Sequence, residues 1–318
     1  GILDGRLVGD NCIAGVRRKR GRDVDAMRGV AFINGEFMPA HEARVSIFDS
    51  GFMGGVSVFD TLACWEGGLF KLAQHRARFE RSAHAAMIPL RCVGQELDGV
   101  IIETTRRSGL RRAYVQAIAT RGRRPSPSMP SQEPTLIVYA IPYVWLWPEE
   151  KAERGISIVI PSIRQWPAAV VDAKIKNFNR MHTHLARMEA DIAGADDVVL
   201  LDDRGLLTES RGANVFLIRG GTLYTPQAGI LEGITRETVF EIAAELEIPA
   251  RERDLTPYDL YTAEEAFLCS TAGGIFPIAS ADGRSIGGGN GIGALTRQIR
   301  ERYWERHVSG PDVTPVVD

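Results

Sequence analysis

The chain has 318 residues, of which 44% are hydrophobic and 25% are charged, and its formal net charge at pH 7 is −2. This length predicts a globular protein with one large domain or two ordinary ones. The nearly balanced charge gives no reason to expect a nucleic-acid or anionic-membrane partner, and no apolar run approaches the length of a membrane span.

The first half of the chain predicts a small domain that follows an N-terminal arm. Residues 1–29 are rich in Gly, Asp and Arg and predict a solvated, mobile arm. Residues 30–141 then predict two hairpins, with turns at Asn34-Gly35 and Gly67-Gly68, followed by two helices and two strands. Residues 142–154 contain two prolines and no clear period, which is typical of a linker between domains.

The second half, 155–318, predicts a larger domain of strands, tight turns and three helices. One helix starts near Met181 and carries an apolar stripe that continues through Leu185, Met188 and Ile192. The run GGGNGIG, 287–293, does not fit the GxGxxG dinucleotide pattern and predicts a surface turn.

The cysteines and histidines indicate neither a disulfide framework nor a metal site. None of the four cysteines belongs to a CxxC pair, which favours a reduced, cytoplasmic setting. His182 and His184 lie two positions apart in a helical pattern and therefore point to different faces. We expect two surface histidines and no metal.

The stretch VDAKIKNFNRMH, 171–182, contains two lysines, Lys174 and Lys176. A lysine amine that is desolvated, or placed near another cation, becomes neutral enough to form a Schiff base with an aldehyde. On an extended segment both lysines would face the same way. Taken alone, such a pair is usually exposed, so this pattern does not yet separate chemistry from a surface patch.

A carboxylate and two candidate anion sites accompany the lysines. Glu209, in LTESRGANVF, could hold a heteroaromatic nitrogen protonated, although a solvated turn residue is the usual interpretation. Residues 233–235 precede a helix whose first N–H groups favour an anion, although an ordinary N-cap at Thr235 explains the same pattern. Residues 269–274 form a turn of small residues with exposed amides and hydroxyls. A lysine, a carboxylate and phosphate loops together are the parts of a pyridoxal 5'-phosphate site.

Four segments, in their order and spacing, resemble the class IV, or fold-type IV, pyridoxal-phosphate enzymes: KNFNR, LTESRGANVF, LEGITR and STAGG. That family includes branched-chain and D-amino acid aminotransferases, (R)-selective amine transaminases and aminodeoxychorismate lyase. The resemblance runs from about residue 30 to 310. It implies a two-domain α+β fold like that of D-amino acid aminotransferase, with a small N-terminal α/β domain and a larger cofactor-binding domain. It also implies a homodimer with the active site at its interface.

The same resemblance assigns the cofactor residues. Lys176, followed by Asn177 and by Asn179-Arg180, matches the lysine that holds pyridoxal 5'-phosphate as an internal aldimine; Lys174 matches only the shorter Asp-x-Lys pattern and is the second choice. Glu209 would pair with the pyridine nitrogen. The other implied cofactor contacts are Arg78, Ile234, Thr235 and Thr271 at the phosphate, Leu231 on the ring, and Ser270 beside the phosphate loop.

The implied activity moves an amino group from an amino acid or an (R)-amine to a 2-keto acid. AIPYVW and STAGG resemble the corresponding segments of the (R)-amine enzymes, and Tyr114 matches a tyrosine of the branched-chain enzymes. The prediction therefore favours these two types. A D-amino acid aminotransferase and a lyase similar to 4-amino-4-deoxychorismate lyase stay open. Candidate substrate contacts are Phe59, Gln116, Arg123, Arg124 and Ala272.

Overall fold

Two β-sheets with helices packed on them form the frame of the chain, in agreement with the α+β class. The computed structural model describes residues 28–126, 128–131, 133–289 and 291–317. Most of the predicted N-terminal arm, residues 1–27 with Cys12, lies outside this part. Among the helices of the described residues, none combines the length and the apolar character that crossing a membrane requires.

The first sheet is antiparallel throughout and has the strand order β15-β4-β3-β5-β6-β1-β2. Its strands are β1 (Val30–Ile33), β2 (Glu36–Pro39), β3 (Ser57–Trp65), β4 (Gly68–Phe70), β5 (Ala113–Thr120), β6 (Thr135–Pro142) and β15 (Val313–Pro315). The helices of this part are α1 (Ser50–Gly54), α2 (Leu72–Ala85) and α3 (Gly94–Ser108), with a 3-10 turn at Ala40–Glu42.

The second sheet is mixed and has the order β11-β10-β9-β12-β13-β7-β8, with β14 beside β13. Its strands are β7 (Ile156–Val159), β8 (Asp197–Val198), β9 (Asn214–Arg219), β10 (Thr222–Thr225), β11 (Ala250–Glu252), β12 (Glu265–Ser270), β13 (Gly274–Ala281) and β14 (Arg284–Ser285). Its helices are α4 (Lys151–Arg154), α5 (Met181–Ala193), α6 (Ile234–Glu245), α7 (Pro257–Tyr261) and α8 (Ala294–Val308), with a 3-10 turn at Gly287–Gly289.

The two predicted hairpins form, one of them with a different turn. Asn34 and Gly35 both have positive φ and join β1 to β2, as predicted. The second turn is Glu66-Gly67 rather than Gly67-Gly68, because Gly68 already pairs with Trp65 in the ladder.

Alternating side chains pack the two faces of the second sheet separately. Phe267 on β12 belongs to a buried cluster under α6 and α8, while the next residue, Leu268, belongs to the cluster on the opposite face with Ile156 and Phe276. This period of two is what a strand covered on both faces requires. The first sheet packs its own core against α2 and α3.

The segment between the sheets and the chain end tie the two halves together. In the predicted linker, 142–154, Trp147 is buried and donates a hydrogen bond from Nε1 to Asp197 (2.8 Å). Strand β15 pairs with β4 in the first sheet. The predicted large domain, 155–318, therefore includes a strand that belongs to the sheet of the small one.

Candidate active site

The segment of Lys176 is fastened to the first sheet. The N–H of Phe59 donates to the carbonyl of Lys176 (3.0 Å), and Asn177 forms an antiparallel bridge with Val58. The N–H of Lys176 donates to Oγ of Ser82 in α2 (3.1 Å). A residue that precedes α5 is thus held on the edge of β3, where the two sheets meet.

Lys174 points elsewhere. Its N–H donates to a carboxylate oxygen of Asp172 (3.0 Å), so the segment turns at this place instead of running extended as predicted. Its side chain is 59% exposed and forms an ion pair with Asp172 (3.7 Å). Although the two lysines share parity in the sequence, only Lys176 enters the cavity described next.

A cavity of about 160 Å³ lies at the seam between the two sheets. Both halves of the chain contribute to it, and ten of the residues predicted from the sequence line it. These are Phe59, Arg78, Lys176, Glu209, Leu231, Ile234, Thr235, Ser270, Thr271 and Ala272.

The amine of Lys176 lies over the ring of Phe59, with Nζ 4.7 Å from the ring centroid. Burial and then the nearby Arg78 guanidinium lower the pKa of Lys176 to about 7. A substantial fraction of this amine is therefore neutral near pH 7, as a nucleophilic lysine requires.

Glu209 receives several hydrogen bonds at the bottom of the cavity. Its carboxylate accepts from the N–H of Leu231 (2.8 Å), from Nε2 of Gln165 (3.2 Å) and from Nδ2 of Asn214 (3.3 Å). Burial raises the pKa of Glu209 to about 7 in spite of these donors. Such a carboxylate can share a proton with a basic ring nitrogen placed against it.

The first anion site is the start of α6. Gly233 is the N-cap and Ile234 the first helical residue, so Thr235 lies one position inside the helix and is not its cap. A Cβ at Gly233 would clash with Oδ1 of Asn214. The absence of a side chain keeps the first N–H groups of this 12-residue helix open to the cavity.

The second anion site is the turn between β12 and β13. Ser270 and Thr271 line the cavity, and the hydroxyl of Tyr143 supports the turn from behind. This hydroxyl donates to the carbonyl of Thr271 and accepts from the N–H of Gly273, both at 2.7 Å. The predicted phosphate loops therefore face one cavity.

Arg78 also borders this cavity but has a carboxylate partner. Its guanidinium donates twice to Asp60 (2.8 Å each) and to the carbonyl of Glu232 (3.2 Å). Asp60 is also 2.7 Å from Nδ1 of His75. Burial acts to raise the pKa of Asp60, yet Arg78 and His75 hold it well below its usual range.

The predicted substrate residues separate into two groups. Phe59 and Ala272 line the cavity. Gln116 stands one layer behind it and donates from Nε2 to the hydroxyls of Tyr114 (2.9 Å) and Thr61 (3.1 Å), which do line it.

Arg123 and Arg124 lie on the exposed loop after β5. Arg123 forms a backbone bridge with Asp49, and the N–H of Arg124 donates to the carbonyl of Phe48 (2.8 Å). Within the described residues of this one chain, neither is among those that line the cavity. A role in substrate binding stays a prediction for both.

Several lining residues have no role that the sequence assigns. Arg180 and Tyr114 stand inside segments that resemble the family, yet nothing in the pattern gives them a task. Gln165, His182 and Asn214 form a hydrogen-bonded group with Glu209, in which Nε2 of His182 lies 2.8 Å from Oε1 of Gln165. Asn214 follows Glu209 by five positions, but Gln165 and His182 are distant from it along the chain. His182 was expected at the surface, and it is instead half-buried in the lining of the cavity.

Comparison with known proteins identifies the family of the chain. The family profile described as Amino-transferase class IV matches residues 57–281. The "Putative branched-chain-amino-acid aminotransferase" of Methanocaldococcus jannaschii is 36% identical over 86% of this chain and 94% of its own. The D-alanine aminotransferase of Staphylococcus haemolyticus is 30% identical over 86% of this chain and 95% of its own.

A solved structure is similar over nearly the whole fold. It is the branched-chain aminotransferase of the thermophilic archaeon Thermoproteus uzoniensis with norvaline, with a TM-score of 0.83 and 30% identity. The alignment covers 91% of this chain and 99% of that one.

An amine, a carboxylate and two candidate anion sites in one cavity are the groups that an enzyme built around a phosphorylated heteroaromatic aldehyde requires. The chain belongs to the class IV aminotransferases. The predicted fold type, the cofactor pyridoxal 5'-phosphate and the aminotransferase activity are thereby confirmed. The preference for (R)-amines that the sequence suggested is not confirmed.

Proposed function

We propose that Lys176 is the residue that holds the cofactor covalently and that Glu209 pairs with its ring nitrogen. The pKa of about 7 of the Lys176 amine and its place in the cavity support the first role. The second is supported by the half-buried carboxylate of Glu209, which accepts from the N–H of Leu231 and lines the same cavity. Leu231 would pack on the ring.

The phosphate would lie between the start of α6 and the turn after β12. Ile234 and Thr235 would contribute N–H groups and a hydroxyl from the helix, and Ser270 and Thr271 would contribute theirs from the turn. Arg78 would add a positive charge at the edge of this site. Gly233, which has no side chain and lines the cavity, would leave the first N–H groups of the helix open to a bound anion.

The chemistry divides between cofactor and protein. Bound pyridoxal 5'-phosphate supplies an electron sink that stabilises negative charge on the carbon next to the amino group. The amine of Lys176, once released from its covalent role, would take the proton of that carbon and deliver it to the carbon that was the aldehyde of the cofactor, for which a pKa near the working pH is favourable. Glu209 keeps a proton on the ring nitrogen.

The preferred amino donor would be an amino acid with a branched apolar side chain, and the acceptor a 2-keto acid. The observation that carries this choice is the apolar wall of the cavity. It is formed by Phe59, Leu146, Trp166, Val171 and Ile175. The likeness to branched-chain aminotransferases supports it, and the D-alanine relative makes a small D-amino acid the second candidate.

A screen of single amino donors would test this choice. The cofactor-loaded enzyme would be mixed with L-leucine, D-alanine or (R)-1-phenylethylamine, and conversion of the cofactor to its amine form would be read from its absorbance. Fastest conversion with L-leucine is expected. Faster conversion with D-alanine or the (R)-amine would replace the proposed donor, and release of pyruvate from aminodeoxychorismate without any keto acid would indicate the lyase.

A homodimer with the active site near its interface is the proposed assembly. The apolar stripe on α5 faces outward: Met181, Leu185, Met188 and Ile192 are 65%, 46%, 40% and 87% exposed. Exposed apolar faces of this kind mark interaction surfaces. Since the stripe begins directly after the Lys176 segment, a second copy bound there would border the cavity.

A cytoplasmic setting is also proposed. Cys64, Cys92 and Cys269 are free and buried, which is the usual state of cysteines in a reducing compartment.

A further inference from the structure

Three strong cations line the cavity within the described residues, namely Arg78, Lys176 and Arg180. Arg78 is paired with Asp60 at 2.8 Å, and Lys176 is the proposed covalent tether. The guanidinium of Arg180 has no ion-pair or hydrogen-bonding partner in the described part of the chain. It is therefore the cation that is left to meet a ligand.

The backbone of Arg180 is held firmly, so its side chain leaves from a defined point. Arg180 is the N-cap of α5, four positions after Lys176. Its N–H donates to the carbonyl of Phe178 (2.8 Å), and its own carbonyl accepts from the N–H of His184 (3.0 Å) and Oγ1 of Thr183 (2.9 Å).

The head of this side chain lies on the Glu209 side of the cavity. Nη2 of Arg180 is 3.9 Å from the position that a Cβ on Gly212 would take, and Gly212 lines the cavity too. The charge of Arg180 acts on Glu209, Lys176 and Tyr114. The guanidinium is thus near the reactive amine, and no carboxylate of the described residues lies within ion-pairing distance of it.

Arg180 is half-buried in the lining of the cavity, and a guanidinium that is partly withdrawn from water is stabilised when a charged ligand pairs with it. Burial lowers the pKa of Arg180, yet an arginine stays protonated in proteins. Its planar fork matches a carboxylate with two parallel hydrogen bonds. The cofactor phosphate would be bound by the donors at the start of α6 and at the turn after β12, so Arg180 is not needed there.

We propose that Arg180 binds the carboxylate of the amino donor and of the keto acid acceptor, and so selects amino acids over amines that lack a carboxylate. This inference rests on the proposed function. It makes Arg180 a specificity-determining residue of the site, placed by the same segment that carries Lys176.

The test measures binding without turnover, so it does not depend on which donor the enzyme prefers. The cofactor-loaded enzyme would be titrated with 4-methylpentanoate and with propanoate, and with the uncharged amide of each, by calorimetry. Arg180→Gln, Arg180→Lys and Arg211→Gln would be compared with the wild type. Arg211 is the matched control, because it is a neighbouring cation that pairs with Asp197 (3.2 Å) and does not line the cavity.

The wild type is expected to bind at least one carboxylate more tightly than its amide. Arg180→Gln should weaken carboxylate binding by about 10- to 100-fold, the loss typical of a charge-assisted bidentate contact, and leave the amide within about twofold. The carboxylate affinity of Arg180→Lys should lie between those of the wild type and Arg180→Gln, and Arg211→Gln should bind as the wild type does. Cofactor affinity should stay within about twofold of the wild type in every variant, because the proposed phosphate donors are unchanged.

Two results would overturn the proposal. One is a wild type that binds the carboxylate no more tightly than its amide, or an Arg180→Gln variant whose ratio of carboxylate affinity to amide affinity equals that of the wild type. The other is an Arg180→Gln variant that binds acid and amide equally weakly and has lost affinity for the cofactor, which would assign Arg180 to an oxygen of the cofactor ring. A failed donor screen would reject the proposed donor and leave this binding result intact.

Discussion

Lys176 and Phe59 are joined twice, once through the backbone and once through their side chains. The Phe59 N–H donates to the Lys176 carbonyl at 3.0 Å, and the Lys176 amine lies 4.7 Å from the centre of the Phe59 ring. Strand β4 covers β3 only at Cys64 and Trp65. Further along β3, the segment that carries Lys176 pairs with the strand edge at Val58. The first sheet therefore positions the Lys176 amine, although this residue belongs to the second half of the chain.

The attachment of cofactor to the apoenzyme should depend on pH with a midpoint near 7. Only the neutral amine reacts, and the pKa of Lys176 is lowered to about 7, so the rate should rise as pH increases through 7 and level off about one to two units higher. Mixing apoenzyme with pyridoxal 5'-phosphate and following absorbance gives this profile. A rate that keeps rising to the pKa of an ordinary lysine would contradict the lowered pKa; Lys174→Ala should reproduce the wild-type profile.

Replacing Glu209 should impair the reaction more than cofactor binding. Glu209→Gln removes the carboxylate that would hold the ring nitrogen protonated, and we expect kcat to fall by roughly 10²-fold or more. Glu232→Gln is the matched control, because it makes the same change at an exposed residue of the neighbouring loop. Steady-state rates with the best donor decide the comparison. Equal rates for the two variants would remove Glu209 from its proposed role.

The site could be predicted from the sequence where the pattern is local. Lys176 and Glu209 stand in short segments that resemble the family, and both are found in one cavity. Arg180 follows Lys176 by four positions, yet the pattern gives it no role, because an unpaired guanidinium is recognised only when all its neighbours are known. Gln165, from a loop with no motif, reaches Glu209 through tertiary folding alone.

The fold shows the same division. Period and turn residues predicted the hairpin at Asn34-Gly35 and the helix that begins at Met181. The outward direction of the stripe on that helix was not predicted, because periodicity shows that a face is apolar and not what covers it. Strand β15 is three residues long, too short for alternation to be visible in the sequence.

A methyl group at Gly233 should disturb both stability and the phosphate site. In Gly233→Ala the new Cβ meets Asn214, whose amide donates to the Leu231 carbonyl (2.9 Å), so we expect a loss of about 1–3 kcal/mol and weaker cofactor binding. Gly99→Ala, inside α3 and with no atom within 4 Å of its Cβ, should be neutral or stabilising by up to about 1 kcal/mol. Denaturant unfolding and cofactor titration measure both. An unperturbed Gly233→Ala would contradict the close approach.

A charge placed on the stripe of α5 should weaken self-association. Leu185→Glu puts a carboxylate into the proposed interface and should raise the dimer dissociation constant by on the order of 10-fold or more. Tyr258→Glu, at another exposed residue (64%), is the control and should leave the assembly unchanged. Sedimentation or light scattering over a range of concentrations distinguishes them. A wild type that stays monomeric and active would reject the dimer.

The lysine that carries the cofactor can be identified chemically. The cofactor-loaded enzyme would be reduced with borohydride, which fixes the link between cofactor and amine, and the labelled peptide would be mapped by mass spectrometry. Since the amine of Lys176 lines the cavity and has a lowered pKa, we expect the label on Lys176 and none on the exposed Lys174 that pairs with Asp172. A label on Lys174, or a Lys176→Ala variant that still forms the reducible link, would reject Lys176 as the covalent residue.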